Sequence, residues 1–433
     1  MSHRRAALVL LTVEAALALA FAVHTALSFQ RDLSPIDEAA HLSYVQLLAE
    51  EHRLPVLGRD QVTLEAYALW NDLDPERTAV PDLTAGLGAH SYEAFQPPAY
   101  FVLAAVVHAV TPGSYDARFV AVRLLGVALA AVSFGLVVTL AWLVSREWWP
   151  AIATVACSVF LMPGLVVRLV TVSNSALEPL VATALVCAAV AAIRRRSPAF
   201  AAATLVLLAV AVLTKLSLVA LAPVALIALV AVLRADRGRA AVVRLAAGCV
   251  VALVLVAPWF AWNRSTYGAW TANDRAKALQ GYIVNPDGHD YTASNVVGSV
   301  PDTLLVAHAQ ETSGNLAQPY TGLVWFVAAA LIAVPAVVAS RGVASASVLA
   351  VLALPLVSSL VLFAAVTVVE DWPTMVPRYL WPVLPAWGVL AGAAYLGEPS
   401  PRSARVALRV AVALAATGVT LSLWSFDAPS WRG

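Results

Sequence analysis

The run Pro98-Ala99-Tyr100-Phe101-Val102-Leu103-Ala104-Ala105-Val106-Val107-His108-Ala109-Val110-Thr111 decides the topology of this chain. Its fourteen residues make about 21 Å of helix at 1.5 Å per residue, whereas the hydrocarbon core of a bilayer is about 30 Å thick. The run is too short to cross and reads as a half-helix lying on, or dipping into, one membrane face. Eleven other apolar runs read as full spans, at 6–28, 119–144, 150–167, 175–193, 199–214, 216–233, 241–261, 320–340, 343–366, 379–396 and 406–425. A chain of 433 residues that is 61% hydrophobic and 12% charged leaves no room for a large soluble domain. The expected fold class is therefore all-α: a polytopic membrane protein, one transmembrane domain over 1–433.

The basic residues test this count. With 98–111 excluded as a crossing, Arg4, Arg5, Arg146, Arg194 to Arg196, Arg234, Arg237, Arg239, Arg244, Arg341, Arg402, Arg405 and Arg409 all fall on one side. Arginine and lysine in short loops mark the cytoplasmic side. The expected topology is a multi-pass cell-membrane protein with its N-terminus inside, its C-terminus outside, and two long extracytoplasmic loops, 30–96 and 262–319. Arg4 and Arg5 precede the first apolar run as in a signal peptide, but that run is long enough to be a retained helix. Cys157, Cys187 and Cys249 lie in apolar runs without pairing or metal spacing, so buried thiols are expected. Nothing in the charge pattern points to nucleic acid.

Directly after the first span comes Ser34-Pro35-Ile36-Asp37-Glu38-Ala39-Ala40-His41-Leu42-Ser43-Tyr44. Ser34, Pro35 and Asp37 make a helix start, and on that helix Asp37, His41 and Tyr44 share one face at i, i+4 and i+7. The rest of the loop, with its turn signals, predicts helices along the membrane surface.

The remaining polar residues of the short outer connections gather at the same surface. Glu93 and Gln96 precede the half-helix; Arg118 and Arg123 follow it. Arg168 and Asn174 lie between the third and fourth spans, Lys215 between the fifth and sixth, and Arg378 with Tyr379 between the ninth and tenth. Ionisable groups at membrane depth cost several kcal/mol unless paired or hydrated, so their convergence marks a ligand site. Cations facing a carboxylate at a lipid boundary suit a lipid phosphate that becomes a leaving group, with Arg118, Arg123, Lys215 and Arg378 as its ligands. Asp37 then takes the proton of an attacking hydroxyl, Glu38 beside it, and His41, Tyr44, Glu93, Gln96, Arg168, Asn174 and Tyr379 line the pocket.

At these residues the chain resembles the integral-membrane glycosyltransferases of the GT-C class, which include protein O-mannosyltransferases, aminoarabinose transferases and oligosaccharyltransferases. The resemblance rests on Pro35-Ile36-Asp37-Glu38 with His41 and Tyr44, and on Glu93-Ala94-Phe95-Gln96-Pro97-Pro98-Ala99-Tyr100. Further matches are Pro163-Gly164 with Arg168 and Ser173-Asn174, Lys215-Leu216-Ser217, Pro258-Trp259 with Asn263 and Tyr267-Gly268, and Pro377-Arg378-Tyr379-Leu380 with Pro382. It implies inverting transfer of a sugar from a polyprenyl-phosphate carrier to an extracytoplasmic glycan, lipid or protein, in a bacterial member of the class. The catalytic acid of the first outer loop maps onto Asp37. Gln96 stands where some members carry a basic residue or histidine. Ser173-Asn174-Ser175 stands where metal-dependent members carry an acidic pair, so no divalent metal or other cofactor is expected. No large outer domain follows the last span, so acceptor choice is expected to rest on the two outer loops.

A transporter or flippase of a lipid-linked glycan would also hold a phosphate, as would a non-catalytic relative. A transporter, however, places polar groups at the midplane. Here only Glu14 and His108 depart from the one-sided pattern, and Glu14 is expected to face the bundle as a hydrogen-bonded acid.

Overall fold

A computed structural model of the chain describes residues 3–28, 37–71, 91–161, 163–276, 345–370 and 380–395. The first span is α1 (His3–Ser28); the loop after it contributes α2 (Asp37–Glu50), α3 (Leu64–Asn71) and a 3-10 turn at Tyr92–Phe95. A hairpin follows, α4 (Ala99–Val110) and α5 (Tyr115–Val144). The third span is broken. α6 (Trp149–Cys157) tightens into a 3-10 turn at Ser158–Leu161, and α7 (Pro163–Val170) restarts on a proline, which has no N–H to give to the preceding turn. Then come α8 (Glu178–Arg195), α9 (Pro198–Thr214), α10 (Ala222–Ala235, entered through a 3-10 stretch at Leu216–Leu221) and α11 (Arg239–Tyr267). The last described elements are α12 (Ala346–Glu370) and α13 (Leu384–Tyr395). The expected spans 320–340 and 406–425, with Arg341, Arg402, Arg405 and Arg409, lie outside the described residues.

The chain is an all-α, multi-pass membrane protein. Among the described residues five helical stretches are long and apolar enough to cross a bilayer. Their exposed faces are apolar: on α11, Val250 is 58%, Leu253 64% and Val254 65% exposed. A face of that kind is a liability in water and a contact surface in lipid, where backbone groups are satisfied within each helix. Arg194 Nη2 donates to the carbonyl of Val144 at 2.6 Å, and Thr154 Oγ1 to the carbonyl of Ala7 at 3.3 Å. Those two contacts put Arg146, Arg194 to Arg196 and the start of α1 at one end of the bundle, as the charge pattern required.

Small residues bring the helices together. Gly126 of α5 packs so closely on α7 that an added Cβ would stand 2.2 Å from the Leu169 carbonyl oxygen. Gly388 and Gly392 of α13 meet Ala156 and Ile152 of α6, and Gly248 of α11 meets Ala202 of α9. Without a hydrophobic drive between helices in lipid, such close backbone approach is what holds them.

Two expectations change. α4 is short, as its length demanded: one face (Tyr100, Phe101, Ala104, Ala105, His108) is buried and the other (Val102, Leu103, Val106, Val110) is exposed. α2 packs into the protein over most of its length. Every residue from Glu38 to Leu47 is buried, because its polar side chains find partners inside: Ser43 Oγ, for one, accepts the Thr63 N–H at 3.0 Å. Cys157 and Cys187 are buried thiols, but Cys249 is exposed on the outward face of α11. Glu14 does face the bundle, 2% exposed, yet neither carboxyl oxygen has a hydrogen-bond partner among the described residues, and the same is true of both ring nitrogens of His108.

The close approach of α5 and α7 makes a paired test. Gly126→Ala is expected to lower the thermal midpoint in detergent by the equivalent of about 1–3 kcal/mol of overpacking. Gly135→Ala, with nothing within 4 Å of the added carbon, is expected to leave it unchanged. Equal midpoints would mean that α7 yields at no cost.

Candidate active site

Charge pairing organises the end of the bundle opposite Arg146 and Arg194. In the first turn of α2, Glu38 accepts both prongs of the Arg123 guanidinium, Nε to Oε1 at 2.9 Å and Nη2 to Oε2 at 2.6 Å. The Val172 N–H, just past α7, donates to the same Oε1 at 2.8 Å. Both side chains are buried, 10% and 4% exposed, and Arg123 also lies 4.3 Å over the Phe119 ring. Three segments distant in sequence are thereby tied to one carboxylate. Asp37 opens α2 immediately before Glu38; its side chain lies outside the described residues.

His41 and Tyr44, expected on a common face with Asp37, do share one, and it packs on α4. The Tyr44 ring stacks on Phe101 at 4.0 Å between centroids and His41 stacks on the same ring at 5.4 Å. The Tyr44 hydroxyl donates to the Gln96 carbonyl at 3.2 Å, and burial pushes its phenol well above the ordinary value.

From Gln96 a chain of hydrogen bonds crosses the site. Gln96 Nε2 donates to Glu93 Oε2 at 2.8 Å, and Asn174 Nδ2 donates to Gln96 Oε1 at 3.0 Å and to the Thr214 carbonyl at 3.3 Å. The Glu93 carboxylate accepts only, which sets the orientation of the Gln96 amide. One residue on, Lys215 breaks the helical path in an extended conformation, and its Nζ lies 2.7 Å from Glu178 Oε1. Ser175 Oγ donates to that same oxygen at 3.0 Å. The Tyr92–Phe95 turn, the α7–α8 connection and the α9–α10 junction are thus joined through polar atoms alone.

The structure therefore brings together Glu38, Arg123, His41, Tyr44, Glu93, Gln96, Asn174 and Lys215, with Arg168 buried at the end of α7. It does not bring Arg118 to them. Arg118 Nη1 lies 3.4 Å from Glu50 Oε1 at the far end of α2, about 20 Å from Asp37 at 1.5 Å per residue. Arg378 and Tyr379 lie outside the described residues. The expected ring of cations facing one carboxylate is instead a set of ion pairs, Arg123 with Glu38, Lys215 with Glu178, Arg118 with Glu50. For the two buried pairs, Arg123–Glu38 and Lys215–Glu178, the physical reason is that an unpaired charge out of water is costly. The structure adds Glu178 and Tyr100 to this set. Tyr100, fully buried, faces the Ser173 backbone, Glu38 and Arg123. Glu178 had a sequence signal, since a lone lysine among apolar residues calls for an acid.

The 51–62 loop beside the site is held by Asp60, which takes Arg53 Nη1 at 2.7 Å and the Val56 N–H at 2.6 Å. Burial pushes the Asp60 carboxyl up, but the bonds from Arg53 and Val56 and the nearby guanidinium charges outweigh it and hold the group below its ordinary 3.8. The Asp60 carbonyl in turn accepts the Ser91 N–H at 3.1 Å, just before the Glu93 turn.

No protein-family pattern matches the chain, and no curated protein aligns with it. Its fold does have solved counterparts. It is similar to ArnT from Cupriavidus metallidurans in the apo state, with a TM-score of 0.52 and 16% identity over 94% of this chain and 63% of that one. It is also similar to the same protein bound to undecaprenyl phosphate, with a TM-score of 0.52 and 17% identity over 98% of this chain and 72% of that one. The chain thus spans less than two thirds of the apo ArnT chain and shares its fold.

Two measurements probe this geometry. Arg123→Met leaves Glu38 buried and uncompensated and is expected to cost about 3–5 kcal/mol, whereas the double variant Glu38→Leu/Arg123→Met is expected to recover most of it; additive losses in detergent melts would contradict a coupled pair. For Asp60, a folded value below the unfolded one stabilises the loop above the carboxylate range, and that stabilisation is lost as pH falls through the folded value. Hydrogen exchange at the Val56 amide, corrected for its intrinsic rate, is expected to stay flat from neutral pH down to about 4 and to rise below it. A rise already near pH 6 would assign the loop's stability to another group.

Proposed function

We propose that this protein is a membrane glycosyltransferase of the GT-C class, which moves a sugar from a polyprenyl-phosphate donor to an extracytoplasmic acceptor with inversion. The observation that carries this reading is the polar chain from Glu93 through Gln96 and Asn174 to the Thr214 carbonyl, next to the Lys215–Glu178 pair, closing beside the helix that Asp37 begins, at one end of an ArnT-like bundle. That one solved ArnT structure holds undecaprenyl phosphate supports a polyprenyl-phosphate donor here. The basic residues at the opposite end support a cytoplasmic N-terminus and an extracytoplasmic site.

In this reading Asp37 is the general base. It takes the proton of the acceptor hydroxyl as that oxygen attacks the anomeric carbon from the face opposite the phosphate. The bond from that carbon to the phosphate oxygen breaks, the configuration inverts, and polyprenyl phosphate leaves with the negative charge. Lys215, fixed by Glu178, and Arg378 neutralise that charge. Glu38 and Arg123 act through position: they pin the first turn of α2 so that Asp37 is held rigidly. Glu93, Gln96 and Asn174 offer amide and carboxylate groups to the sugar hydroxyls.

The test is transfer of radiolabelled sugar from a panel of polyprenyl-phosphate sugars in membranes carrying the wild type, Asp37→Asn or Lys215→Ala. Asp37→Asn is expected to lose about 100- to 10,000-fold in rate with its thermal midpoint unchanged. Lys215→Ala is expected to weaken donor binding more than acceptor binding. Full activity of Asp37→Asn would remove the base assignment. Donor binding by the wild type without transfer to any acceptor offered would favour a carrier of lipid-linked glycans.

A further inference from the structure

The start of the second long outer loop is built onto the turn that carries Glu93 and Gln96. Tyr267, the last residue of α11, accepts the Leu57 N–H on its hydroxyl at 3.0 Å, a bond between residues 210 apart in sequence. Gly268, in the left-handed region at φ +73°, then turns the chain so that Ala272 and Ala276 pack in one apolar cluster with Leu57 and Ala94, flanked by Phe95 and Tyr267. The Arg275 guanidinium closes over Gly58, which has φ +78°; an added Cβ would stand 3.1 Å from Nη2 and push that side chain back by a few tenths of an ångström. On the other side of the turn the Tyr44 hydroxyl holds the Gln96 carbonyl. The Tyr92–Phe95 turn is thus clasped between the 51–62 loop, tied to it through Ser91, and residues 267–276.

We propose that Tyr267 is a positioning residue for Glu93 and Gln96, and that segment 267–276 sets the geometry of the donor pocket without lining it. The catalytic consequence rests on the function proposed above; the mechanical coupling does not. The turn's own hydrogen bonds, Ala94 N–H to the Ser91 carbonyl at 3.0 Å and Gln96 N–H to the Glu93 carbonyl at 3.0 Å, report on it directly.

The experiment is hydrogen exchange on the full-length protein in lipid nanodiscs, comparing the wild type with Tyr267→Phe, which keeps the ring and removes the acceptor, and with Gly58→Ala, which displaces Arg275 from the other side. In both variants the amides of Leu57, Ala94 and Gln96 are expected to exchange up to about tenfold faster, the effect of losing one net hydrogen bond. Faster exchange at Leu57 alone, with Ala94 and Gln96 unchanged, would overturn the proposal. Where the wild type transfers sugar, Tyr267→Phe is expected to raise KM for the donor several-fold with kcat within about twofold, whereas mere loss of folded protein would lower kcat at constant KM. A wild type that transfers nothing, with the three amides still coupled, would count against the transferase and leave the clasp standing.

Discussion

Everything at the functional end of this bundle hangs on the ion pair between Glu38 and Arg123. Two charges taken out of water are costly, and the attraction between them offsets that cost only when the geometry is two-pronged and the spare lone pairs are satisfied. Here both prongs are used, and the Val172 N–H takes up a remaining acceptor site. Because the three partners come from α2, α5 and the segment after α7, satisfying one buried carboxylate places all three. The close approach of Gly126 to Leu169 is the apolar counterpart of the same contact, as it lets α7 come near enough to α5 for Val172 to reach Glu38.

The same rule shapes the rest of the site. Lys215 is held by Glu178, whose same oxygen also accepts the Ser175 hydroxyl, and Asn174 donates to the Gln96 amide oxygen. These pairings mean that cations in an apolar setting are not open hooks waiting for an anion. They are rigid, pre-positioned groups, which is what the function proposed above asks of Lys215. Where the rule is broken, at Glu14 and His108, the buried polar atoms have no partner among the described residues, and both stand away from the chain of bonds that joins Glu93 to the Thr214 carbonyl.

The likeness to ArnT at 16% and 17% identity shows how little of such a fold is written in particular residues. Membrane helices need apolar faces of sufficient length and small residues where backbones meet, and many sequences meet both demands. What does recur locally is punctuation. Pro98 starts the half-helix, Pro163 restarts the broken third span, and Lys215 interrupts the fifth and sixth.

The sequence by itself determined the all-α, multi-pass class, the short helix at 99–110 and the clustering of basic residues at one end, because these follow from length, hydropathy and local charge. It also determined that His41 and Tyr44 share a face, since 3.6 residues per turn leaves no choice. Tertiary structure alone decided what those side chains touch. Helical periodicity says nothing about partners 85 or 134 residues away, so the pairing of Glu38 with Arg123 and Val172 was invisible, as was the packing of α2 against α3, α4 and the Tyr92–Phe95 turn. Arg118 and Arg123 look alike in sequence, one and a half turns apart on one helix. The structure sends Arg118 to Glu50 at the solvent-accessible end of α2 and Arg123 to Glu38 at the other end, where both charges are buried and stable only as a pair.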